Sequence, residues 1–128
     1  MIPNEIRTML KQASQAWVTG DADAFAALFT PEGEFIVPGK RWQGRAAIRE
    51  VAAGFADRYS NVTIDIRRII VDGNQAVVEW RWEDIKKATG VRSKADDAIV
   101  VDFEDRLISR WREYIDTQSP AVGESPVP

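Results

Sequence analysis

Near the start of the chain, Ile6, Met9, Leu10, Ala13 and Trp17 recur on one face at a helical period. Pro3 suits a first helical turn and Gly20 a C-terminal cap, so the spacing predicts a first helix from Pro3 to Gly20. Asp21 can cap a short second helix with Phe25, Leu28 and Phe29 as its apolar face, ended by the breaker run Thr30-Pro31-Glu32-Gly33. EFIVPG then reads as a short strand, and Ile48, Val51, Ala52, Phe55 and Tyr59 predict a third helix from about Arg45 to Asp57. From Asn61 the period changes to two. VTIDIRRIIV, NQAVVEWRWEDIKK, ADDAIVVDF and RLISRWREYID read as strands, separated by Asp72-Gly73, Thr89-Gly90 and Glu104-Asp105-Arg106.

Three helices, one early strand and a meander of long strands predict an α+β domain, with the helices on one face of a strongly curved antiparallel sheet. A helix pair at the open end of such a sheet cannot fill it, so a pocket is expected there. The domain spans residues 1–118. The tail from Ser119 to Pro128, rich in proline and small residues, is expected to be disordered.

Alternation along Glu79-Trp80-Arg81-Trp82-Glu83 sends both indoles to one face and the charges to the other. With the next loop centred on Thr89-Gly90, Trp82 falls opposite Asp97 and Trp80 opposite Ile99. A three-residue loop at Glu104 to Arg106 sets Asp97 opposite Glu113, Ile99 opposite Trp111 and Val101 opposite Ser109. The inner face then carries Trp82, Asp97 and Glu113 above Trp80, Ile99 and Trp111. The outer face carries Glu79, Arg81, Glu83, Arg110 and Arg112, a charged mixture suited to solvent or a dimer contact.

The 128 residues are 45% hydrophobic and 29% charged with a net charge of -3, which suits one domain and argues against nucleic acid or an anionic membrane as partner. No apolar run has the length of a membrane span, and MIPNEIRTMLKQ lacks a signal peptide's apolar stretch, so a cytoplasmic protein is expected. The absence of cysteine and histidine removes thiolate chemistry, the commonest zinc ligands and the commonest neutral-pH base. Chemistry must run on carboxylates, tyrosine, lysine, arginine or bound water, with no cofactor or metal implied. Asp21-Ala22-Asp23 is read as capping, and Arg67-Arg68 and Lys86-Lys87 as solvated. Lys40-Arg41 lies near the expected pocket mouth, where it would meet an anionic ligand.

Trp17 to Ala27 (WVTGDADAFAA), the stretch VPGKRWQGRAAIREVAAGF and the closing ISRWREYID together resemble the SnoaL-like branch of the nuclear transport factor 2-like superfamily, which includes ketosteroid isomerase and limonene epoxide hydrolase. The resemblance covers residues 3 to about 117. It implies a cone-shaped, NTF2-like (cystatin-like) α+β barrel with a pocket at its wide end, and a homodimer joined through the convex face of the sheet. In limonene epoxide hydrolase-like proteins the closing W-R-D-Y-F-D motif supplies a catalytic carboxylate at its third residue, which corresponds here to Glu113. That member's arginine and aspartate positions fall on Trp80 and Trp82, and its water-holding tyrosine and asparagine near Phe35 and Val37. The ketosteroid isomerase positions fall near Ala13, Val37 and Ile99. A small hydrophobic ligand is therefore expected, with Glu113 as base or proton shuttle and Asp97 as its partner. The expected pocket is lined by Trp17, Phe35, Val37, Trp42 and Tyr59, and on the late strands by Trp80, Trp82, Ile99 and Trp111. The alternative is a dimerisation or assembly module whose tryptophans simply fill the cone.

Overall fold

A computed structural model describes residues 1–118. The expected tail lies outside the described residues. Helix α1 (Pro3–Thr19) stops at Gly20, which takes φ 71°, a left-handed conformation that glycine adopts without a Cβ clash. The Asp21 carboxylate accepts from the Ala24 N–H at 3.0 Å and opens α2 (Ala22–Ala27). Helix α3 runs Arg45–Arg58. The strands are β1 (Phe29–Val37), β2 (Lys40–Gln43), β3 (Tyr59–Asp72), β4 (Gln75–Lys86), β5 (Arg92–Glu104) and β6 (Leu107–Asp116).

They form one α+β sheet in the order β2-β1-β6-β5-β4-β3. The sheet is mixed, because β1 lies parallel to β6 while the other neighbours are antiparallel. It is also open, with β2 and β3 as its two edges, and so forms a curved cone wall and not a closed barrel. Its register shifts in β3 on either side of Asn61–Val62 and Arg67, between β1 and β6, and between β5 and β6. Bulges of this kind bend strands and increase their twist, which supplies curvature.

Two early segments differ from the expectation. Thr30 to Gly33 continues β1 through a register shift and does not break the chain. A Cβ on Gly33 would sit 3.0 Å from a Phe29 ring carbon and 3.1 Å from the Ile108 carbonyl oxygen, so glycine here permits β1 to approach β6. The second difference is β2, which pairs back on β1 through Pro38-Gly39, with Gly39 at φ 78°. Lys40-Arg41-Trp42-Gln43 is too short and polar for alternation to reveal it.

The core lies between the helices and the inner face of the sheet. Ile6, Leu10, Phe25 and Ile48 meet Val78, Trp80, Ile99, Val101 and Trp111, all at most 1% exposed. Each such side chain contributes roughly 1.5–3 kcal/mol by leaving water.

The late-strand register departs from the sequence reading by two residues in each hairpin. Trp80 lies opposite Asp97 and Trp82 opposite Ala95, because Ile85 pairs with Arg92 across a longer loop. On the other side, Ile99 faces Glu113, Val101 faces Trp111, and Asp97 faces Ile115. The β5–β6 turn is a two-residue one, Asp105-Arg106, with φ of 51° and 63° at its two positions, as the twist-matched hairpin turn requires. A bulge between Asp102 and Phe103 then restores the pairing parity. A slip of two preserves the face while changing the neighbours. Asp97 and Glu113 are consequently diagonal, not directly opposed.

Candidate active site

The cone holds a cavity of about 350 Å³ bordered by side chains from helices and strands. Its walls are aromatic. Trp17 on α1 meets Trp82 edge-on at 5.8 Å, Phe55 on α3 meets Trp82 at 5.5 Å, and Phe35 on β1 stacks on Trp42 of β2 at 5.5 Å. Val37 and Val51 complete the apolar side. Three carboxyl groups border the same space: Asp84 on β4, Asp97 on β5 and Glu113 on β6.

Of the residues expected to line a pocket, Trp17, Phe35, Val37, Trp42 and Trp82 do border this cavity, as do Asp97 and Glu113. The remaining four stand elsewhere. Trp80, Ile99 and Trp111 are fully buried in the core, and Tyr59 stacks on Phe55 at 4.5 Å without joining the lining. The register explains this, since Trp80 and Trp111 sit deeper in the cone, beneath the helices. They still act on the site through their N–H groups.

Each carboxyl group is held by an indole. The Trp80 N–H donates to Asp97 Oδ2 at 3.0 Å across the β4–β5 pair. Trp111 donates to Glu113 Oε1 at 3.0 Å and Trp82 to Asp84 Oδ2 at 2.8 Å, each to the residue two positions on, which shares its face of the strand. Asp84 is 6% exposed and Asp97 4%, and among the described residues Oδ1 of each is buried without a hydrogen-bond donor and Trp17 Nε1 without an acceptor.

Burial shifts the acids strongly. Desolvation first and the nearby Asp97 charge second push Glu113 up to about 8, with the Trp111 N–H acting in the opposite sense. Glu113 keeps partial accessible surface because it borders the cavity. Desolvation carries Asp97 up to about 6, with the Trp80 N–H opposing and the Asp96 charge adding to it. Asp97 is thus the stronger acid of the two: as pH rises it ionises first, and its charge helps to keep the proton on Glu113.

The nearby cations do not neutralise this pair. Arg41 binds Glu34 at 2.7 Å, and Arg45 donates to the Phe29 carbonyl at 2.7 Å. Lys40 borders the cavity without an ion pair among the described residues. Sequence reasoning missed Asp84, Phe55 and Val51 as lining residues. For Asp84 a signal existed, because alternation from Trp82 puts it on the inner face, and Trp82-Glu83-Asp84 repeats the tryptophan–acid spacing of Trp111-Arg112-Glu113. Among the described residues no cluster of acids has metal-site geometry, and no helix is long and apolar enough to cross a membrane.

Comparison with solved structures places the fold. A protein with a ketosteroid isomerase-like fold from Catenulispora acidiphila, solved in complex with trimethylamine, aligns with a TM-score of 0.77 at 18% identity, over 89% of this chain and 86% of that one. An LEH-like epoxide hydrolase from M. tuberculosis gives 0.78 at 21% identity, over 88% and 84%. TsrD from Streptomyces laurentii gives 0.80 at 16% identity, over 91% of each chain. No curated protein sequence matches the chain. The family model described as a SnoaL-like domain matches residues 10–111, which include α2, α3, all of β1 to β5 and the core residue Trp111. The chain therefore belongs to the SnoaL-like domain family.

Proposed function

We propose that this protein binds a small hydrophobic molecule in its cone and catalyses proton transfer on it with Asp97 as base and Glu113 as acid. What supports this reading is the pair of carboxyl groups on one aromatic cavity, each held by an indole N–H and each raised by burial, Asp97 to about 6 and Glu113 to about 8. Environments that push two acids apart in this way assign acid and base roles. The base role thus moves to Asp97, where the sequence reading had Glu113 as base or proton shuttle and Asp97 as its partner.

A carbonyl compound bearing an acidic C–H suits the pair. Asp97 takes the proton from carbon, the C–H electron pair moves into a C=C bond, and the Glu113 O–H gives its proton to the carbonyl oxygen. The product is an enol, with Asp97 protonated and Glu113 ionised. Returning the proton to a different carbon gives an isomerase, and attack of the enol on a second carbonyl gives a cyclase. Epoxide opening is not the favoured reading, because the arginine and aspartate positions of limonene epoxide hydrolase-like proteins fall on Trp80 and Trp82 here.

The test is exchange of the α-protons of 2-tetralone in D2O, followed by proton NMR. The protein accelerates exchange, Asp97→Asn abolishes the acceleration, and the rate against pH is bell-shaped with limbs near 6 and 8. A rate equal to that of Asp97→Asn at every pH would remove the catalytic reading. The same proposal includes a homodimer through the outer face of β4, β5 and β6, where Arg81–Asp96 is an ion pair at 3.1 Å and Tyr114 is 51% exposed.

A further inference from the structure

Lys40 at the start of β2, Arg58 at the end of α3 and Lys94 near the start of β5 are distant in sequence, and all three border the cavity. All three are exposed, whereas Asp84 and Asp97 on the same cavity are buried. The cations therefore form its rim and the acids its floor. None of the three is in an ion pair among the described residues. Their neighbours are engaged: Arg41 with Glu34 at 2.7 Å, Arg92 with Glu83 at 3.3 Å, and Lys87 Nζ with the Ala56 carbonyl at 3.1 Å. Cations beside them on β2, on β5 and in the loop after β4 thus find partners, while among the described residues the three at the cavity mouth form no ion pair.

We infer that the ligand is an amphipathic organic anion, its carboxylate or phosphate head held at the Lys40, Arg58 and Lys94 rim and its apolar body against Trp17, Trp42 and Trp82. This rests on the reading of the cavity as a ligand site. It also fixes the direction of binding. Buried carboxylates on the floor repel an anionic head, and the exposed cations attract it, so the apolar end enters first and comes to rest beside Asp97 and Glu113. The Lys40 hint in the sequence is absorbed in this way, without Arg41, whose charge is spent on Glu34.

The experiment is quenching of tryptophan fluorescence by four probes of one shape: naphthalene-2-carboxylate, 2-naphthyl phosphate, naphthalene-2-carboxamide and 2-naphthylmethylammonium. Three exposed charge contacts together favour the anions over the neutral amide by about threefold to a hundredfold in Kd at low salt. Added salt shrinks that preference. In the double variant Lys40→Gln with Lys94→Gln, the preference falls to about twofold, while the amide Kd is unchanged and reports an intact pocket. Of the two anions, the tighter one names the head group. Equal binding of amide and anions would overturn the inference and leave the hydrophobic-pocket reading standing. Tightest binding of the ammonium probe would overturn it in favour of the acidic floor. Quenching by none of the four would overturn both.

Discussion

Replacing Glu113 by glutamine removes a buried acid while keeping an oxygen that accepts from the Trp111 N–H. In the unfolded chain Glu113 ionises near 4.5, and in the folded protein near 8. Between those values the native state holds a proton that the unfolded state has released, so stability falls as pH rises through that window. At about 1.4 kcal/mol per pKa unit, the loss accumulated by pH 7 is about 3 kcal/mol. The cavity border admits some solvation, so about 2–3 kcal/mol is the expected size. Glu113→Gln has no proton to lose. Urea unfolding of both proteins at pH 5, 6, 7 and 8 should show the variant gaining on the wild type by that amount between pH 5 and 7, with the gap widening to pH 8. Asp97 titrates identically in both and drops out of the difference below pH 6. A stability difference that stays constant from pH 5 to 8 would refute the claim that folding holds Glu113 protonated.

Three further outcomes follow from the geometry. Trp80→Phe removes the one N–H that bonds Asp97 Oδ2; it should raise the Asp97 pKa above about 6 in an NMR titration and cost about 1–3 kcal/mol at pH 7, because the buried carboxylate loses its partner. Gly33→Ala should destabilise by about 1–3 kcal/mol in urea unfolding, since the new methyl meets Phe29 and the Ile108 backbone at 3.0 and 3.1 Å. Sedimentation velocity at micromolar concentration should find a dimer, and a charge reversal such as Arg81→Glu at the outer face should shift it toward monomer; a wild-type monomer would remove the dimer proposal.

Much of this architecture is legible in the sequence because its signals are local. Gly20, Asp21 and the apolar spacing of α1 and α3 mark helix boundaries within a residue or so, and alternation in β4 sends Trp80 and Trp82 inward and Arg81 outward. What escapes is set by distant parts of the chain. The parallel contact of β1 with β6 joins segments with most of the chain between them, and no local pattern in FTPEGEFIV announces it. The register of β5 depends on a loop length and a bulge that each change the count by one or two residues. Face is robust to such slips and partner identity is not. Asp97 and Glu113 thus reached the right face with the wrong opposite neighbours, and Trp80 and Trp111, read as pocket wall, are core residues that hold the acids through their N–H groups. The unequal upward shifts of the two acids depend on burial, which one strand's pattern does not reveal.

The central claim is that one aromatic cavity keeps Asp97 ionised and Glu113 protonated at neutral pH. Carbon-13 NMR of the side-chain carboxyl carbons, assigned with Asp97→Asn and Glu113→Gln and followed from pH 3 to 10, tests it directly. Two separate titrations are predicted, Asp97 near 6 and Glu113 near 8; two ordinary values close to 4 would contradict it.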